Sequence, residues 1–218
     1  MSITHRPSSG ARDRFLQAAA RQPVSRPRTW LRRVCLAALA SMVWLLTMLS
    51  FLGIRRDWHD LPAPAVTATM VALLAAALLA SAIGLARGRA MVGTTTESLS
   101  LAAWGVPLLL LLLVVVVDPG GTPTAAAPDK LVLHAWPCGL LTLLIALPLM
   151  GIALLVLRGL TLSRPRLAGA CLGLAAATWA HLLIRVHCAV GGPGHAVLGH
   201  LLPLLPLMLL GAWAMRRR

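Results

Sequence analysis

Residues 34–53, VCLAALASMVWLLTMLSFLG, carry no charged side chain, and five further windows are nearly as apolar. They run Val66–Ala86, Leu99–Val117, Leu131–Leu157, Leu167–Val186 and Ala196–Met215. Each is long enough to cross a hydrocarbon core, which takes roughly 17–25 helical residues. The apolar residues come in runs. They do not alternate as lumen-facing and lipid-facing residues of a barrel strand would, so helices are expected. With 58% hydrophobic and 12% charged residues, the chain also lacks the polar surface that a water-soluble domain needs. The expected fold class is all-α: a polytopic membrane protein, a bundle of six transmembrane helices with both termini cytoplasmic. Pro203 and Pro206 predict a kink in the last helix, where neighbouring helices can re-satisfy the freed carbonyls.

The net charge of +14 would suggest nucleic acid on a soluble chain. Here its placement follows topology. With both ends inside, sixteen of the twenty basic residues fall on the inner side: eight arginines before the first window, then Arg87, Arg89, Arg158, Arg164, Arg166 and Arg216 to Arg218. The positive-inside rule accounts for that excess, and no direct nucleic-acid contact is expected. The first window is too long for a signal-peptide core and lies behind a basic, proline-containing segment, so it reads as a retained helix.

Two parts are expected: a cytoplasmic tail, 1–33, and a transmembrane part, 34–218. The tail is rich in Arg, Pro and Ser, with one short helical candidate at Asp13–Arg21. It is too polar to form a core, and it either folds on a partner or tethers to anionic lipid headgroups. Phe15, Leu16, Val24 and Trp30 are its apolar anchors, and Arg21, Arg26 and Arg28 can meet acidic residues on a partner. No loop is long enough to hide a catalytic domain, and no nucleotide-binding or metalloprotease motif occurs.

Polar residues at membrane depth are the remaining candidates. His134, Cys138, His187, Cys188, His195 and His200 are all expected toward the outer third of the membrane. Three readings stand side by side: a thiolate–imidazole metal site, a redox pair of Cys138 with Cys188, or thiols acting as small apolar packing residues among boundary histidines. No CxxC or zinc-ribbon spacing occurs, so no cofactor is expected and a bound metal ion stays open. Cys35 and Cys171 read as packing residues, and the small-residue run GACLGLAAATWA (169–180) as a close helix–helix contact. Arg185 is expected to snorkel to the headgroups. Trp30, Trp136 and Trp213 are expected near the interfaces, with Trp104 and Trp179 deeper.

The stretch 137–188 resembles the second half of the NrsF-like, six-helix membrane anti-sigma factors of bacteria. The likeness lies in Cys138, Leu157–Arg158, Arg164–Pro165, Gly169–Gly173 and Cys188, followed by His200–Pro203. Gly199 stands where the family often has an aromatic. Upstream, QPVSRPRTWLRR (22–33) is similar to the family's cytoplasmic element, and IRRDW (54–58) to its first outer loop. The alanine- and leucine-heavy composition is also similar to that of the CarR-like, light-response members. The resemblance implies a non-enzymatic negative regulator of transcription at the bacterial inner membrane. Its tail would capture an extracytoplasmic-function sigma factor. Cys138 and Cys188 would be the sensing thiols, answering metal or oxidative stress or light-generated singlet oxygen. His134, His187, His195 and His200 are their candidate neighbours. Outside the resemblance, a small transporter or channel and a membrane-integral metalloenzyme are the competing readings.

Overall fold

The computed structural model describes residues 27–85, 128–158 and 164–216, together with Gly10, Leu162 and residues 105–106, 109–110 and 122–123. The tail anchors Phe15, Leu16, Arg21, Val24 and Arg26 lie outside the described residues, as does most of the Leu99–Val117 window. Two compact units are distinguished, Met1–Leu36 and Ala37–Arg218. Among the described residues of the first, Trp30 is half-buried and Cys35 is exposed, which corrects the expectation that Cys35 packs inside the protein.

The described chain is helical. Helix α1 is Pro27–Leu52, α2 is Ala63–Gly84, α3 is Pro128–Val156 and α4 is Pro165–His187. The last apolar segment is composite: α5 at Pro193–Ala196, a π turn at Val197–Leu201, and α6 at Leu204–Ala214. A two-residue parallel pairing of backbone joins β1 (Thr122–Pro123) to β2 (Val190–Gly191). Five segments among the described residues are long and apolar enough to cross a membrane: Trp30–Leu52, Ala63–Gly84, Ala135–Val156, Pro165–His187 and Pro193–Ala214. Hydroxyls within these helices cap carbonyls of their own preceding turn, as Thr69 does for Ala65 and Thr178 for Leu174, both at 2.8 Å. A polar side chain is thereby satisfied without leaving its helix.

Helix α4 is the centre of the second unit, packing against α2, α3 and α6. Its small residues make this possible. A Cβ on Gly169 would strike the Gly211 carbonyl, and one on Gly173 the Leu207 carbonyl, so the α4 and α6 backbones touch directly. The expected close contact at 169–180 is therefore an α4–α6 seam, with Gly169 and Gly173 spaced as in small-xxx-small membrane helix pairs. On the other flank Leu172 of α4 lies against Gly84 of α2, and the Trp179 indole donates to Ser81 Oγ at 3.2 Å. Cys171 is fully buried, as expected of a packing thiol. Central placement also overturns the expectation for Arg185. At the end of a helix surrounded by others it is buried, 6% exposed, and does not reach outward. Leucines on the outside of α1, α2, α3 and α6 remain exposed, as do Trp136 and Trp213, an arrangement suited to lipid.

Gly53, at φ 72°, ends α1 with its N–H on the Leu49 carbonyl. The loop that follows is pinned to the end of α4. Arg55 N–H donates to Val186 O at 3.0 Å, and Arg55 Nη2 to Ala189 O at 3.4 Å. The same guanidinium grips Asp57 through Nε and Nη2, at 2.7 and 2.6 Å. Trp44 Nε1 ties α1 to α3 by donating to Ile145 O at 3.0 Å, beside the carbonyl that Pro148 leaves without its helical donor.

Gly173→Ala should lower the unfolding midpoint in detergent by the equivalent of about 1–3 kcal/mol, because backbone must yield. Gly151→Ala, where a Cβ meets nothing within 4 Å, should be neutral or stabilising by up to about 1 kcal/mol. The hydrogen-bonded Arg55 holds the Asp57 carboxyl below its usual value of 3.8. The stability this pair adds is complete above that value and lost as pH falls through the lowered pKa. Asp57→Asn should therefore lower the midpoint at neutral pH and flatten its acid limb, read by thermal melts down to about pH 3.

Candidate functional site

Cys138 stands in α3 and Cys188 directly after α4, fifty residues apart in sequence. Both are free thiols, and their Sγ atoms are 3.6 Å apart, well beyond the ~2.05 Å of a disulfide. The Cys188 N–H bonds to Ile184 O at 2.7 Å, which holds the thiol at the last turn of α4. From the hairpin that follows, His195 brings Nε2 to 3.3 Å from Cys188 Sγ. Gly192 makes this return possible, at a φ of 109° that side chains rarely adopt.

His200 joins through the π turn. In a regular α-helix, with 3.6 residues per turn, side chains five apart point about 140° away from each other. Here Leu202 N–H bonds to Val197 O at 2.8 Å, an i→i+5 closure that stacks residues five apart. The His195 and His200 rings accordingly meet, with centroids 5.2 Å apart. Pro203 explains why the turn forms where it does. It has no N–H for the Gly199 carbonyl, and that carbonyl instead faces the Thr142 hydroxyl of α3 at 3.5 Å. Thr142 also donates to Cys138 O at 2.8 Å, so one hydroxyl spans the Cys138 turn and the π turn. The kink expected at Pro203 takes this form, and a neighbouring helix faces the freed carbonyl. Gly199 lets the segment press on α3, since its Cβ would lie 3.1 Å from Ala135 O and 3.3 Å from Cys138 Cβ.

One ligand atom from each of Cys138, Cys188, His195 and His200 lies within 4.8 Å of the others. Cys188, His195 and His200 are buried and Cys138 is half-buried. A second layer stands behind them: the His181 ring meets His200 edge-on at 5.2 Å, and Arg185 lies one turn along α4. Of the other expected neighbours, His187 turns away, its Nδ1 3.2 Å from Gly53 O. His134 lies in α3, one turn before Cys138, and its side chain is outside the described residues. Arg28 lies in α1 with its side chain likewise outside them.

The two cysteines and the two histidines are legible in the sequence, whereas the π turn, Thr142 and the buried Arg55 emerge only in the fold. For the π turn a signal was present, in two histidines five apart followed by a proline.

No curated protein and no solved structure matches the chain. A family model does, over residues 18–218, under the description "negative regulator of sigma F". The match covers the described helices and all four members of the thiol–imidazole cluster, and the chain belongs to the NrsF family.

Proposed function

We propose that this chain is a membrane-bound anti-sigma factor that holds an extracytoplasmic-function sigma factor at the bacterial inner membrane and releases it on a stimulus. The family match carries this reading, since a negative regulator of a sigma factor needs that factor as its partner. The five apolar helices support membrane residence. The charge distribution supports six helices with both ends in the cytoplasm, the basic segments lying against anionic lipid. Residues 1–33 are the sigma-binding tail, with Phe15, Leu16, Val24 and Trp30 as apolar anchors and Arg21, Arg26 and Arg28 as charge partners. A tail that orders only on its partner covers a large surface and still lets go readily. The role is regulatory, not enzymatic.

Cys138 and Cys188 are the sensing thiols of this reading. An oxidant, including light-generated singlet oxygen, would take two electrons and two protons from the pair. The Sγ atoms would then close from 3.6 Å to a disulfide bond. A soft metal ion would act on the same two sulfurs. The contacts around Cys188 supply a route outward. Its neighbours Val186, His187 and Ala189 are bonded to Gly53 and Arg55, the two residues that follow α1 within three positions. Helix α1 begins at Pro27, within the tail. A shift at 186–189 therefore pulls on the helix that leads to the bound partner.

The full-length protein, purified from membranes, should retain the sigma factor encoded beside its gene. Deletion of residues 1–26 should reduce that retention at least about tenfold, the equivalent of some 1.4 kcal/mol or more. A full-length chain that retains no sigma factor would overturn the reading. The double variant Cys138→Ala/Cys188→Ala should retain the factor and fail to release it on stimulation. Release from that variant would remove the thiols from the mechanism.

A further inference from the structure

Two of the four side chains in this cluster differ from an ordinary buried polar group in a specific way. Both ring nitrogens of His200 and Nδ1 of His195 are buried without a hydrogen-bond partner among the described residues. Leaving such groups unpaired costs roughly 1–3 kcal/mol each. Two imidazoles and two thiols facing one point, with no carboxylate among them, make a donor set that is soft to borderline in character.

The distances fit an ion at that point. Metal–sulfur bonds of about 2.3 Å and metal–nitrogen bonds of about 2.05 Å, set tetrahedrally, give edges of about 3.8 Å for S···S and about 3.6 Å for S···N. The Cys138–Cys188 edge is 3.6 Å and the Cys188–His195 edge 3.3 Å. The widest pair lies within 4.8 Å, so closure draws the outlying ligand in by about 1 Å. Charge points the same way. A divalent ion with two thiolates and two neutral imidazoles is electrically neutral, which suits a buried position.

We propose that Cys138, Cys188, His195 and His200 form a closed tetrahedral site for one borderline-soft divalent cation of the Zn2+ kind, resident in the reduced protein. Four protein ligands leave no open position, so the ion holds structure together and does no chemistry on a substrate. It clamps α3 to the end of α4 and to the hairpin carrying α5 and the π turn. The site deepens the sensor of the anti-sigma reading and rests on it only for its regulatory meaning. Metal binding and sigma retention are separate measurements.

The test uses the full-length chain, reduced and stripped of metal in detergent, titrated anaerobically with Co2+ and with Zn2+. One ion per chain is expected. The Co2+ form should show the intense visible bands of a tetrahedral complex and a near-ultraviolet thiolate charge-transfer band. His195→Ala/His200→Ala should weaken binding by about 100-fold or more, whereas His187→Ala, on the Gly53 carbonyl, should bind as the parent does. Cys138→Ser, close in volume, should lose about half of the charge-transfer intensity, with folding checked by helical circular dichroism. A reduced parent chain that binds neither ion overturns the site. So does a six-coordinate Co2+ spectrum, or one unchanged in the double histidine variant. Retention of the sigma factor by a chain that fails these tests would leave the anti-sigma reading standing without the metal.

Discussion

Inside hydrocarbon, a backbone carbonyl without a donor has no water to turn to, and this constraint organises the molecule around its prolines. Pro203 leaves the Gly199 carbonyl without its helical partner. The chain answers with a π turn and with a hydroxyl from a neighbouring helix, and those two responses define the position of His200. At Pro148 the Trp44 indole bonds to the adjacent Ile145 carbonyl and fastens α1 to α3. Pro148 and Pro203 each cost one helical bond, and both of these breaks lie beside a contact between helices.

The second organising feature is the seam between α4 and α6. Lipid supplies no hydrophobic drive for helices to meet, so backbones held in direct contact do the work through dispersion. Gly169, Gly173 and Gly211 remove the side chains that would keep α4 and α6 apart. The seam fixes the lower part of the last segment, and the π turn then directs its upper part toward Cys138 and Cys188. The thiol–imidazole cluster is drawn from three separate stretches of chain, and the π turn supplies one of them.

Much of this was legible in the order of residues. Apolar runs marked out the five long helical spans of the described residues, and the small-residue run at 169–180 marked a helix contact. Cys138 and Cys188 stood at matching depths. Other features were not legible, for physical reasons. Arg185 looked like a boundary residue because sequence records its depth along α4 and not that α4 is enclosed on its sides. Cys35 looked internal because an apolar run does not say which of its faces meets lipid and which meets protein. The separation of His187 from His195 and His200 depends on the loop after α1, which captures His187 at Gly53. Convergence across fifty residues is a property of packing, and no local spacing encodes it.

The π turn also bears on how such a site can be recognised at all. Histidine pairs that bind together on helices are commonly sought three or four residues apart, because those positions share a face of an α-helix. Here the pair that meets is His195 and His200, five apart, with Pro203 three residues beyond. The proline changes the period of the helix and with it the spelling of the motif. Two imidazoles five apart, ahead of a proline in an apolar segment, are thus a signature that a search tuned to regular helices would pass over.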